Sequence, residues 1–351
     1  MNVGWYVARR ALLSFFVIIG TIVITFYLSH LLPGNPAALY AGSNPSPEEI
    51  QRITQQYGFN QPVLTQFWIY ITGIFRGDLG TSTIVRQPVA SLVLQALPNS
   101  LTLAAMAAAI AGIIGVPLGI LASRSRNSKL DNFLRIFSMG AVAIPQFWSG
   151  LILQLVFFSG LHIFPLGAYG GSLFFFQQHP IPTITGSYVV DALLSGNFAA
   201  EGQILWSLVL PLATLSAYPV GVVIRQTRAS MIGTLNQDYI RTAKAYGVPR
   251  REIEMKYALK NAFAPVLVSL GLIFAGSLIG VVYVEDIFVL QPGLGSLIRT
   301  GLGVGTTSTS IISAPDVPLI LGVAIVTCIV YVVTNFAVDM IQLLIDRRIT
   351  V

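Results

Sequence analysis

Six stretches of apolar residues, each about long enough to cross a membrane, constrain this 351-residue chain more than any other feature. A helix rises 1.5 Å per residue, so about 20 residues cover the roughly 30 Å of hydrocarbon in a bilayer. The runs are residues 11–32, 101–122, 133–161 (broken near Pro145), 204–224 (with Pro211 and Pro219 inside), 264–284 and 318–345. Lipid offers peptide groups no hydrogen-bonding partner, so each run is predicted to be helical. Composition agrees: 54% of residues are hydrophobic and 10% charged, against about 25% charged in a soluble domain. The predicted class is an all-α membrane protein with six transmembrane helices. Arg9 and Arg10 precede the first run, as in a signal peptide, but its 22 residues exceed the 7–15 of a typical signal core. It reads as a retained helix.

Charge placement orients the bundle. Sixteen of the 20 Lys and Arg residues lie in the segments that share a side with the two termini; only Arg52, Arg76, Arg86 and Arg299 lie opposite. The positive-inside bias therefore places both ends in the cytoplasm. It also accounts for the net charge of +6 without a nucleic-acid partner.

The first outer loop, residues 33–98, carries short helices. Ser46-Pro47-Glu48-Glu49 combines an N-cap, a first-turn proline and a capping-box glutamate, and Gly58 closes that helix. In residues 62–75, Leu64, Phe67, Trp68, Ile71, Ile74 and Phe75 form one apolar stripe, suited to the outer membrane surface or to packing on the bundle. In the second outer loop the apolar run 173–176 is too short to span. In the third, residues 301–310 read as mobile. The chain divides into residues 1–32, the loop 33–98 and a core of five spans over 99–351, with an inner loop at 226–263.

That inner loop carries the strongest functional signal. Residues 237–246 read as a short helix, Gly247 as its C-terminal cap and Pro249 as the first turn of a second helix that leads to Pro265 at the start of span five. Two basic helices joined by a tight turn connect two membrane spans directly. A protein that gripped them from the cytoplasm would move both spans.

At this point the chain resembles a known family. Asp238-Tyr239-Ile240-Arg241-Thr242-Ala243-Lys244-Ala245-Tyr246-Gly247 is similar to the loop with which ABC-importer permeases dock on their ATPases. Arg241 and Thr242 depart from the general Glu-Ala-Ala pattern but match its peptide-type branch, as does the ending Ala258-Leu259-Lys260-Asn261-Ala262. Tyr6, Arg9-Arg10, Leu32-Pro33-Gly34-Asn35-Pro36, Tyr57-Gly58, Arg76-Gly77-Asp78-Leu79-Gly80, Leu97-Pro98-Asn99-Ser100-Leu101, Val284-Glu285, Pro292-Gly293-Leu294-Gly295, Val338-Asp339 and Asp346-Arg347-Arg348 also follow the family order. The chain thus resembles a permease subunit of a dipeptide/oligopeptide/nickel ABC importer. The resemblance implies the type I importer permease fold and a prokaryotic cell membrane. It also implies a second related permease, two ATPase subunits and an extracytoplasmic substrate-binding protein as partners. Asp238, Tyr239, Arg241, Thr242, Ala243 and Gly247 become the expected docking contacts. Glu285, Pro292, Gly293 and Gly295 become an expected outer gate or binding-protein contact. Peptides are the implied cargo, with oligosaccharides, nickel complexes or glutathione as alternatives.

Other motifs point away from chemistry. No Gly-Lys pair exists, so the phosphate cradle of an ATPase is missing; ATP and magnesium are expected in partner subunits, with no cofactor and no catalytic residue in this chain. No Gly-x-Ser-x-Gly elbow occurs. His30, His162 and His179 are scattered, and Cys328 is alone, so no metal site is expected. Arg76-Gly77-Asp78 reads as a turn. Gly115/Gly119 and Gly276/Gly280 allow close helix contact, within the chain or with a second permease. Asp339 is expected to pair with an arginine at the inner interface. A self-contained secondary carrier is the competing class, but the spans lack its chain of carboxylates and no internal repeat is evident.

Overall fold

In the computed structural model, residues 3–31, 36–41, 45–167, 180–304 and 315–345 are described. The expectations for residues 32–35, 173–176, 305–310 and 346–348, and for His179, lie outside them. Among the described residues there is no β-strand, only a bridge between Thr81 and Pro88.

The outer-loop helices come first in importance for placing the ends. After α1 (Val3–Leu31) follow α2 (Pro36–Ala41), α3 (Pro47–Tyr57) and α4 (Val63–Phe75). Ser46 caps α3 by accepting the Glu49 N–H at 3.1 Å, and Gly58 closes it at φ +68°. The apolar stripe of α4 is divided: Leu64, Trp68 and Phe75 are exposed, Phe67, Ile71 and Ile74 are half-buried, with the Phe67 ring 5.2 Å from that of Phe26, and Gln66 is buried. The Gln66 amide donates to the carbonyls of Phe59 and Gln61, and its oxygen lies 2.8 Å from His30 Nε2. The exposed apolar edge of Leu64, Trp68 and Phe75 suits a lipid surface, while the half-buried part of the stripe packs on the bundle.

The spans follow: α5 (Val89–Arg124), α6 (Lys129–Ala143), α7 (Gln146–Gly160), the short outer α8 (Tyr188–Leu194), α9 (Phe198–Leu235), α10 (Asp238–Ala245), α11 (Arg250–Ile287), the short α12 (Leu294–Gly301) and α13 (Val317–Ile345). Five helices are long and apolar enough to cross a membrane, and the pair α6/α7, bent by 100° at Pro145, makes a sixth, broken span. Most spans run beyond their predicted bounds, and two of these differences change the connections. Span two begins at Val89 and runs through Pro98, which was expected to stay outside it. The second inner helix is not separate: it is the start of α11, which passes through a π-helical turn at Ile253–Ala258 and takes Pro265 into its interior. Apolarity ends where lipid ends, but a helix continues wherever its charged residues find partners, as Glu254 does below.

α5, α9 and α11 form the centre. Leu103, Ile204, Leu208, Leu215, Leu278 and Phe288 fill one layer, and Val220, Val223, Ile224, Val266 and Leu134 another. Gly115 and Gly119 let α5 lie directly on α9: a Cβ at Gly119 would sit 2.5 Å from Thr227 Cβ and 2.8 Å from the Ile224 carbonyl. This pair therefore serves packing within the chain. Gly276, by contrast, meets nothing within 4 Å. Arg10 pairs with Asp339 at 3.1 Å, tying α1 to α13, and Cys328 Sγ lies 3.0 Å from Thr21 Oγ1 between the same helices.

Candidate functional site

The end of the bundle that charge placement predicts to be the inner one carries α10, which starts after a two-residue link from α9. Gly247, at φ +73°, reverses the chain after α10; its N–H reaches the Lys244 carbonyl, and the Val248 N–H reaches that of Ala243. An L side chain rarely adopts that backbone conformation, so glycine is favoured there. Pro249 then caps α11.

α10 is amphipathic, and its two faces do different things. Ile240 and Ala243 are buried in a cluster with Ile120 of α5, Met231 of α9, and Ile253, Ala258 and Ala262 of α11. Asp238, Tyr239, Arg241, Thr242 and Gly247 are exposed, as are Lys244 and Tyr246. Five of the six expected docking residues thus share the outward side. Ala243 does not: at 8% exposure it belongs to the anchor. Tyr239 is braced by Asn261 of α11, whose amide donates to its hydroxyl at 2.8 Å.

The root of α10 is a set of ion pairs that sequence reasoning missed. Glu254, buried, lies 2.5 Å from Arg124 Nε of α5, an ionic contact without hydrogen-bond alignment. It also accepts from Arg250 Nε at 2.9 Å. Asp131 of α6 is fully buried and takes a bidentate bond from Arg228 of α9, at 2.6 and 2.9 Å. Two planar groups meeting in this way fix orientation as well as distance. These partners lie 97 and 130 residues apart in sequence (228 minus 131; 254 minus 124), so no local pattern could pair them.

Between the α6/α7 bend, α9 and α11 lies a groove of about 680 Å³. Phe147, Tyr218, Ser269, Gly276, Ser277 and Tyr283 are among its walls, and among the described residues no charged side chain lines it. Hydroxyls on an apolar surface can hydrogen-bond a polar solute without selecting its charge.

At the opposite end of the bundle, Glu285, Gly293 and Gly295 come together as a buried knot, with Pro292 half-exposed on its rim and the Gln291–Pro292 bond cis. The Glu285 carboxylate accepts from Ser100 Oγ at 2.6 Å and from the Gly295 N–H at 2.7 Å, while Ser100 accepts from the Leu294 N–H at 3.0 Å. A Cβ at Gly293 or Gly295 would collide with Glu285 or the Val282 carbonyl. Arg76-Gly77-Asp78 forms a turn, with Gly77 at φ +83° and the Asp78 N–H on the Gly73 carbonyl.

Residues 115–351 match the family described as binding-protein-dependent transport system inner membrane component, and residues 4–104 match the N-terminal region of such membrane components. The chain belongs to this family. As an inner membrane component of a binding-protein-dependent transport system, it has the type I importer permease fold and is a multi-pass membrane protein. Among similar proteins, the probable D,D-dipeptide transport system permease protein DdpB of Escherichia coli is 40% identical over 333 residues, covering 95% of this chain and 94% of the relative. The dipeptide transport system permease protein DppB of Alkalihalophilus pseudofirmus is 34% identical, and the oligopeptide transport system permease protein AppB of Bacillus subtilis 30% identical, each covering 98% of both chains.

Proposed function

We propose that this permease forms half of the translocation pathway of an ATP-driven peptide importer and takes its power stroke through α10. The observation that carries this reading is the division of α10: an inward face locked to α5, α9 and α11 by Ile240 and Ala243, and an exposed face of Asp238, Tyr239, Arg241, Thr242 and Gly247. A helix so held cannot move without moving the three spans it packs on. Two ATPase subunits, holding ATP and magnesium, grip the exposed face from the cytoplasm, where both termini also lie. A second, related permease supplies the other half of the pathway. A substrate-binding protein delivers cargo from outside, above the rim around Pro292. ATP binds the closed ATPase pair more tightly than the open one, and that differential affinity shifts the permease between inward- and outward-open forms.

Peptides as cargo are supported by the dipeptide and oligopeptide systems to which the named relatives belong and by the uncharged, hydroxyl-bearing groove, which suits a constant backbone with variable side chains. The test is reconstitution in liposomes with ATPases, second permease and binding protein. ATP-dependent uptake of a labelled dipeptide or oligopeptide is expected. Gly247→Val is expected to keep hydrolysing ATP while uptake falls at least tenfold; unchanged uptake in that variant would remove the docking role from this turn.

A further inference from the structure

α9 contains Pro219, which has no N–H to give to the carbonyl four residues earlier, that of Leu215. Within lipid such a carbonyl needs another donor. Gln146 supplies it: its Nε2 lies 3.1 Å from the Leu215 oxygen and 3.4 Å from that of Thr214. Gln146 is the first residue of α7, directly after the 100° bend at Pro145. The opposite helix leaves space for this side chain, since any Cβ at Gly280 of α11 would collide with Gln146 Oε1. Gln146, Leu215, Pro219 and Gly280 all line the groove. One amide therefore joins the bend of the broken span to the interrupted turn of α9, at the wall of the cavity.

We infer that Gln146 is a positioning residue that passes movement of α9 to the groove wall. α9 runs on to Leu235, two residues before α10, so displacement of α10 reaches the Leu215 carbonyl along one helix. While Gln146 holds that carbonyl, the bend at Pro145 follows α9, and α7, which carries Phe147 into the groove, follows the bend. Without the amide, α9 moves and the wall lags. The inference rests on α10 being the driven element, as proposed above.

The test is a double-mutant cycle in the assembled complex. Gln146→Leu is expected to cut uptake about tenfold and to raise the ATP hydrolysed per peptide imported. In the Pro219→Ala background residue 219 regains its own N–H, and adding Gln146→Leu there should change uptake less than twofold. Gly280→Ala, which displaces the amide while leaving Gln146 in place, should act like Gln146→Leu and be masked in the same way. Thermal midpoints of the same complexes give a readout independent of cargo: a drop for Gln146→Leu that is halved or abolished by Pro219→Ala. Absence of uptake by the unmodified complex, with this thermal pattern intact, would count against the peptide reading and not against the role of Gln146. Wild-type uptake in Gln146→Leu, or equal losses in the two backgrounds in both measurements, would overturn the inference. If Gln146→Leu fails to assemble, restored assembly on adding Pro219→Ala supports it and continued failure overturns it.

Discussion

Two buried carboxylates show what single residues contribute. Asp131 is enclosed with Arg228, which holds it by two hydrogen bonds. Asp131→Ala would strand the guanidinium, and breaking one partner of a buried pair costs about 3–5 kcal/mol. A correspondingly lower thermal midpoint in detergent is expected, largely recovered by replacing both partners with apolar residues. Asp191, in the short α8 outside the spans, forms no ion pair among the described residues. Burial alone would raise its carboxyl, but the Thr185 hydroxyl and the N–H groups of Thr185, Ile184 and Gly186 hold it below the ordinary range. Because the folded value is depressed, its contribution is fully present above the unfolded carboxyl's value of about 3.9 and is lost as pH falls through the folded value. The protection of the amides at residues 184–186, relative to their intrinsic exchange, is expected to hold down to about pH 4 and to fall below it. Asp191→Asn should weaken that protection at neutral pH and flatten its pH dependence.

At the scale of elements, glycine is the clearest discriminator. Gly119→Ala drives a methyl group into Thr227 and the Ile224 carbonyl; overpacking of this kind costs about 1–3 kcal/mol. Gly276→Ala faces open space in the groove and should leave the melting temperature within a degree or two, so a large drop there would show that α11 is covered by something further. Element centres were legible in sequence because lipid demands continuous apolarity. The cap at Ser46 and the reversal at Gly247 were legible because their requirements are local. Element ends were not: α9 extends to Leu235 and α11 back to Arg250, held there by Arg228 and Glu254 through partners about 100 residues away. The inward turn of Ala243 was equally hidden, since a motif fixes residue order but not which face meets the bundle. Gln66 shows the same limit, as the one polar residue buried beneath an apolar stripe.

For the whole molecule, orientation is the most accessible test. In a Cys328→Ser background, Tyr246→Cys places a thiol at a position that is 84% exposed. A membrane-impermeant maleimide is expected to label it in inverted vesicles and not in intact cells, while Arg52→Cys, at a side chain that is 70% exposed on α3, should show the reverse. Labelling of both from one side would reverse or break the arrangement of spans described here.

The length of α9 has a consequence of its own. Its 38 residues make a rod of about 57 Å at 1.5 Å per residue, nearly twice the roughly 30 Å depth of the hydrocarbon. Pivoting by about 10° around its midpoint would sweep each tip by about 5 Å, close to one helical pitch. Taken with the driven α10 proposed above, the geometry is a gear: a stroke about the size of one turn at the α10 tip becomes a rotation of about 10° around the midpoint, near the buried Leu215.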